Sequence, residues 1–238
     1  MHALVAPLTF LSAGAAQGLV QALRAEFEAA GGPHLQGRFG AVGAMKELLL
    51  AGQERCDVFV STHRIVQELV ADGHLRPASV APLGRVHTGV AVRAGEHVPA
   101  IDTPEALRKA LAAATAIYFP DPDRATAGIH FANVLAELGL AGSTSALWRT
   151  YPNGAAAMRE MVAGGPPGAI GCTQVSEILI TPGVQLVGAL PQRFELATLY
   201  TAAVSMGARQ PGAAARFIAL LTSPAQHDVR ERCGLTEP

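Results

Sequence analysis

Three times in its first 75 residues the chain repeats one pattern: an apolar run, a cluster of small or hydroxylated residues, then apolar residues at helical spacing. Leu4 to Leu11 leads into Ser12-Ala13-Gly14-Ala15-Ala16, after which Leu19, Val20, Leu23 and Phe27 share a helical face closed by Gly31-Gly32-Pro33. Leu35 to Phe39 leads into Gly40-Ala41-Val42-Gly43-Ala44 and a helix carrying Met45, Leu48 and Leu49. Asp57 to Val60 leads into Ser61-Thr62-His63 and a helix that ends near Asp72-Gly73. Alternation of this kind predicts an α/β fold with a mostly parallel sheet and helices on both faces. On such sheets ligands sit at the carboxyl ends of the strands, where all three turns fall. Small residues there let a backbone approach a ligand, although tight helix–strand packing asks for them equally.

The same alternation continues. Pro82 to Arg93 reads as a strand, and Thr103-Pro104-Glu105 as a helix start with an N-cap threonine and a proline in the first turn. Tyr151-Pro152-Asn153-Gly154 breaks the chain before a helix over Ala155 to Val162, and Gly164-Gly165-Pro166-Pro167 stops it. Gly168 to Gln174 is a short strand running into a helix start. Val184 to Val187 and Leu196 to Val204 are strands, Pro211 to Leu221 is a helix, and a short helix ends the chain. His74, His87, His97 and His227 read as loop residues, and Glu195 and Tyr200 as structural ones.

The stretch Ile117 to Asn133 carries the clearest chemistry. Ile117-Tyr118-Phe119 closes a buried strand, Pro120 and Pro122 cannot continue a central one, and from about Thr126 the spacing of Ile129, Val134, Leu135 and Leu138 is helical. A strand, a rigid turn and a helix start bring free N–H groups and the positive end of the helix dipole to one spot, which favours an anion. Arg124 adds a planar fork of donors suited to a carboxylate.

Composition narrows the function classes. With 50% hydrophobic and 16% charged residues the chain packs a core and is not disordered. A net charge of −1 gives no field that would hold nucleic acid or an anionic membrane, so charge selectivity must be local. Cys56, Cys172 and Cys233 stand far apart without a C-x-x-C pair, which argues against a zinc site or a disulfide framework. No metal and no cofactor are expected. No apolar run approaches a membrane span. The segment from Met1 to Phe10 lacks a charged region followed by a long apolar one and reads as a first strand. Two compartments stay open: the periplasm, if a secretion signal precedes Met1, or the cytoplasm.

Several of these pieces, in this order and spacing, resemble the periplasmic molybdate-binding protein family, the solute receptors of oxyanion ABC transporters. They are Phe10-Leu11-Ser12-Ala13-Gly14-Ala15, Phe39-Gly40-Ala41-Val42-Gly43-Ala44-Met45, Ala51-Gly52 before Cys56-Asp57-Val58-Phe59-Val60-Ser61, Asp121-Pro122-Asp123 before Ala127-Gly128-Ile129, and Pro167-Gly168-Ala169-Ile170. The resemblance covers nearly the whole chain. It implies a type II periplasmic-binding-protein fold: two α/β lobes joined by a two-strand hinge, with the ligand cleft between them. Residues 1–82 with 193–238 would form the first lobe and 83–192 an inserted second lobe. It also implies a monomer with a small anionic ligand and, if secreted, a transporter permease as partner.

The site residues depart from that pattern. The family holds its oxyanion with a serine at each of the first two turns and a tyrosine hydroxyl. Here those positions fall at Gly14, at Val42-Gly43 and near Gly171. Three lost charge-assisted bonds at about 1.5–3 kcal/mol each disfavour a compact tetrahedral oxyanion. A small di- or tricarboxylic acid is the expected ligand, with Ser12, Gly14, Val42, Gly43, Thr62, Arg124, Thr126, Ala127, Asn153, Thr173 and Gln174 as contacts. Aconitate isomerase resembles the same family, which gives an alternative: an isomerase shifting a double bond in a polycarboxylate by allylic proton transfer. His130, His63 and Cys172 are its candidate proton carriers.

Overall fold

A computed structural model describes residues 6–237. Met1 to Val5, and with them the start of the expected first strand, lie outside the described residues. In chain order the elements begin with β1 (Leu8–Ala13), a 3-10 turn (Gly14–Ala16), α1 (Gln17–Ala29), β2 (Leu35–Gly40), α2 (Val42–Ala51), β3 (Val58–Thr62) and α3 (His63–Ala71). They continue with β4 (Ala81–Arg93), α4 (Pro104–Ala113), β5 (Ile117–Pro120), α5 (Thr126–Glu137), α6 (Ala141–Thr144), β6 (Trp148–Tyr151) and α7 (Gly154–Gly164). The last are β7 (Ile170–Gln174), α8 (Val175–Leu179), β8 (Val184–Ala189), β9 (Ala197–Val204), α9 (Pro211–Thr222) and α10 (His227–Arg232).

The chain forms two compact units, Met1–Arg85 with Leu199–Pro238, and Val86–Thr198. It leaves the first within β4 and returns within β9.

In the first unit β1 pairs in parallel with both β2 and β3, and β9 runs antiparallel to β3. Leu11, Met45, Phe59, Ile65, Val66, Leu69 and Leu75 make a buried core on one side. Asp57 locks this unit from below. Its Oδ2 accepts from the Thr9 N–H (2.9 Å) and hydroxyl (2.7 Å), and its Oδ1 from the N–H groups of Arg209 (2.7 Å) and Gln210 (3.0 Å).

In the second unit β5 lies between β6 and β7, parallel to both, while β4 runs antiparallel to β7 and β8. Strands buried on both faces read as continuous apolar runs, and β5 shows why. Ile117 and Phe119 enter one core with Val90, Leu107, Leu111, Phe131 and Leu135. Tyr118 enters another with Met158, Met161 and Ile178. Phe119 meets Phe131 and Trp148 edge-on, at 5.4 and 5.3 Å between centroids.

Three sequence expectations need correction. His87 lies within β4, its Nδ1 3.0 Å from Glu195 Oε1, and His227 opens α10; neither is a loop residue. The break before α7 hides a strand, β6, whose Arg149 and Thr150 are exposed, so no apolar run marks it. Pro120 belongs to β5 as its last residue, where its missing N–H interrupts nothing: the next N–H, of Asp121, donates to Tyr151 O at 2.7 Å.

Candidate ligand site

Because β1, β2 and β3 are parallel, their carboxyl ends share one edge of the first unit's sheet. Ser12, Gly14, Val42, Gly43, Thr62 and His63 all fall there. Ser12 is fully buried and its hydroxyl donates to Ala13 O at 3.0 Å. Gly14 is buried in the 3-10 turn; Val42 and Gly43 are half-buried in the first turn of α2. Thr62 caps α3, its Oγ1 accepting from the Ile65 N–H at 3.5 Å. His63 Nδ1 lies 3.2 Å from Thr201 Oγ1, and its Nε2 lies 3.4 Å from Gln67 Nε2.

The second unit has a matching edge. The carboxyl ends of parallel β5, β6 and β7 bring together the Arg124–Thr126–Ala127 segment, Asn153, and Thr173 with Gln174. Within the turn after β5, Asp121 Oδ1 accepts from the N–H groups of Asp123 (2.8 Å) and Arg124 (3.2 Å). The turn's own carboxylate therefore takes donors that the sequence offered to a ligand. Arg124 is exposed, Thr126 half-buried and Ala127 buried. His130 Nε2 lies 2.7 Å from Phe194 O. A carbonyl only accepts, so Nε2 carries the proton and Nδ1 is the basic nitrogen of the neutral ring.

Helix starts differ in how they are closed. Those of α3, α4 and α7 are closed by their own Thr62, Thr103 and Asn153 side chains. Those after β1, β2 and β5 begin at Ala13, Ala41 and Ala125, and no side chain caps them; α6, α8, α9 and α10, which begin behind Leu140, Gln174, Gln210 and Gln226, have no side-chain cap either. Their first N–H groups are the unsatisfied donors every helix start leaves.

Three expected site residues have other duties. Cys172 is fully buried among Val90, Ile117, Phe119 and Phe131, and burial pushes its thiol well up; it is a packing residue and no proton carrier. Asn153 Oδ1 is spent on the Ala156 N–H, at 2.9 Å. The buried Thr173 hydroxyl donates to Glu177 Oε2 at 2.6 Å.

Glu177 was not among the residues expected to matter. It is buried under the start of α7, and the N–H groups of Ala155, Gly154 and Gln174 also donate to it. Burial raises its carboxyl above the usual range despite these four donors. The only forewarning in sequence is the Thr173–Glu177 spacing of four, a weak signal. Ser61, at the end of β3, was also missed. It is fully buried and its hydroxyl has no partner.

A family model described as bacterial extracellular solute-binding protein matches residues 8–236. An aconitate isomerase from Pseudomonas sp. is 28% identical over 236 residues, covering 97% of this chain and 88% of that protein. Among solved structures, the periplasmic molybdate-binding protein of Azotobacter vinelandii superposes with a TM-score of 0.79 at 17% identity, covering 97% of this chain and 99% of that one. A sulfate-binding protein from Mycobacterium tuberculosis H37Rv gives 0.74 at 16% identity, covering 97% and 86%. These last two likenesses establish the fold.

Proposed function

The chain belongs to the bacterial extracellular solute-binding protein family, and from that premise we propose that it binds a small organic anion, a di- or tricarboxylic acid in preference to molybdate or sulfate. The observation that carries this reading is that three helix starts at the carboxyl ends of strands are led by alanine and have no side-chain cap. Where the chain caps a helix start itself it uses Thr, Asn or Ser; after β1, β2 and β5 it leaves alanine and open N–H groups. Open helix starts favour negative charge. Ser12, Gly14, Val42 and Gly43 in the first unit, and Arg124, Thr126, Ala127 and Gln174 in the second, are the contacts this reading assigns. If the protein is secreted, a transporter permease is its partner.

Thermal shift against molybdate, tungstate, sulfate, succinate, citrate and the aconitates tests it. A tight ligand raises the melting temperature by mass action. At least one carboxylic acid is expected to do so, with Arg124→Ala reducing the effect. A large shift with molybdate and none with any acid overturns the reading.

A second reading is favoured by the aconitate isomerase similarity over nearly the full chain. In it a base removes a proton from the carbon next to the double bond, the double bond moves over, and the proton returns at the far end. His130 is the better candidate, because its Nε2–H is held by Phe194 O while Nδ1 keeps its lone pair. Incubation with cis- or trans-aconitate, followed by NMR, decides this. No exchange between the two removes the isomerase reading, and loss of exchange in His130→Gln assigns the base.

A further inference from the structure

Five buried side-chain polar atoms described in the second unit have no hydrogen-bond partner: Thr88 Oγ1, both Gln174 Nε2 and Oε1, Ser176 Oγ and Thr198 Oγ1. Thr88 and Gln174 are neighbours across the sheet, Ser176 stands close to Gln174 along the chain, and Thr198 stands close to a backbone partner of Thr88. Thr88 and Gln174 are direct partners across antiparallel β4 and β7, so their side chains leave the same face. Ser176 stands two residues beyond Gln174. Thr198 stands two residues beyond Leu196, whose carbonyl takes the Thr88 N–H at 3.0 Å. Gln174 is only 2% exposed, Thr88 and Ser176 1% each. Buried polar groups are nearly always paired, and each unpaired one is costly. A glutamine that strands both ends of its amide is therefore a strong pointer to something it is kept for.

We propose that this cluster reads the uncharged part of the ligand, selecting an organic acid that carries a hydroxyl or an undissociated carboxyl group over one that carries only ionised oxygens. The inference rests on the carboxylate-binding reading above. The amide Nε2 only donates and Oε1 only accepts. A fully ionised oxyanion offers acceptors alone, so it can meet Nε2 and the hydroxyls but leaves Oε1 unpartnered. A ligand hydroxyl gives and takes, and so meets both ends. No charged side chain belongs to the cluster, which suits it to a neutral group and leaves the charge to be read elsewhere. A site built around such a group rejects the analogue that lacks it, because its own polar atoms are then left unpaired.

The test is calorimetric titration of the whole chain with two matched pairs: malate against succinate, and citrate against tricarballylate, the same acid without its hydroxyl. The hydroxy acid of at least one pair is expected to bind about tenfold more tightly or better. Gln174→Leu should bring that ratio to about one, whatever it does to the affinity for the deoxy acid, since only the discrimination reads the hydroxyl. Thr88→Val, a smaller change on the opposite strand, should lower the ratio in the same direction and serves if the Leu variant fails to fold. Binding of both members of each pair with equal affinity overturns this inference and leaves the carboxylate reading standing. So does a ratio that survives both substitutions, as it would if buried water satisfied the amide. No binding by any of the four acids overturns this inference, and the carboxylate reading falls with it if the aconitates also fail to bind.

Discussion

The Thr173 hydroxyl reaches Glu177 at 2.6 Å, and both side chains are buried. Together with the N–H groups of Gly154, Ala155 and Gln174, this turns one carboxylate into the tie between β7, α8 and the start of α7. Removing a buried acceptor strands its donors. Glu177→Ala is expected to cost about 3–5 kcal/mol, and Glu177→Gln, which keeps one acceptor oxygen, about 1–3 kcal/mol. Urea unfolding measures both. A loss below about 0.5 kcal/mol for the alanine variant would mean the carboxylate is not holding these elements.

Gly154 and Gly128 are among the glycines where no side chain fits. A Cβ on Gly154 would lie 1.8 Å from Thr173 Oγ1 and 2.2 Å from Glu177 Oε2. One on Gly128 would lie 2.2 and 2.3 Å from the carbonyl oxygens of Asp121 and Pro120. The neighbours of Gly128 are backbone and cannot step aside. Gly128→Ala is expected to destabilise by about 2–3 kcal/mol or more, although alanine is the better helix former by about 1 kcal/mol. Gly142→Ala, in α6 with nothing within 4 Å, is the control and should be neutral or slightly stabilising. Thermal unfolding of the three proteins side by side checks the order.

Two buried carboxylates make stability depend on pH with opposite signs. Burial pushes Asp57 up, but the four hydrogen bonds from Thr9, Gln210 and Arg209 outweigh it, and its pKa lies below the ordinary 3.8. Between those two values the unfolded chain binds more protons than the folded one. Stability from Asp57 is therefore full above about 3.8 and is lost as pH falls through the lowered value. Glu177 is raised above 4.5, first by burial. Here the folded chain holds the proton more tightly, so stability falls as pH rises from about 4.5 through the raised value. Asp57→Asn should flatten the acid limb of a plot of unfolding free energy against pH, and Glu177→Gln should flatten the decline above 4.5. An acid limb unchanged in Asp57→Asn would assign it to other carboxylates.

The strand–turn–helix order was legible because its signals are local. Thr103-Pro104 marks the start of α4, and Gly31-Gly32-Pro33 follows the end of α1, as read. What sequence hid is whatever depends on partners far along the chain. β6 is a four-residue strand with two exposed residues, recognisable only by its register with β5. Glu177 looks like a surface glutamate until Gly154 is brought against it. Thr173 and Asn153 were chosen as ligand contacts for their polar atoms, yet those atoms are used within the fold; a hydroxyl or amide near a helix start serves a cap or a ligand equally well on paper. Cys172 shows the same limit, since apolar neighbours on β4 and β5 decide its character.

If the alanine-led helix starts exist for a ligand, giving them a cap of their own should trade binding for stability. Ala41 and Ala125 have extended backbone angles (φ −61°, ψ 144° and φ −104°, ψ 130°), which an N-cap Asp or Ser adopts readily. Such a residue accepts from the N–H two or three positions on and places negative charge at the positive helix end, a gain of about 0.5–2 kcal/mol. An anionic ligand then meets a donor already taken and a like charge beside it. Ala41→Asp and Ala125→Asp are expected to raise the melting temperature of the ligand-free protein. Both should weaken binding of a carboxylic acid by about tenfold or more, corresponding to the loss of one charge-assisted bond. Thr103→Ala supplies the contrast: it removes the cap of α4, whose Oγ1 accepts from the Ala106 N–H at 3.1 Å, and should lower stability by about 1 kcal/mol with affinity unchanged. Melting curves and titrations on the same samples separate the two effects. Stabilised variants that bind as tightly as the parent would show that these helix starts are open for some reason other than an anion.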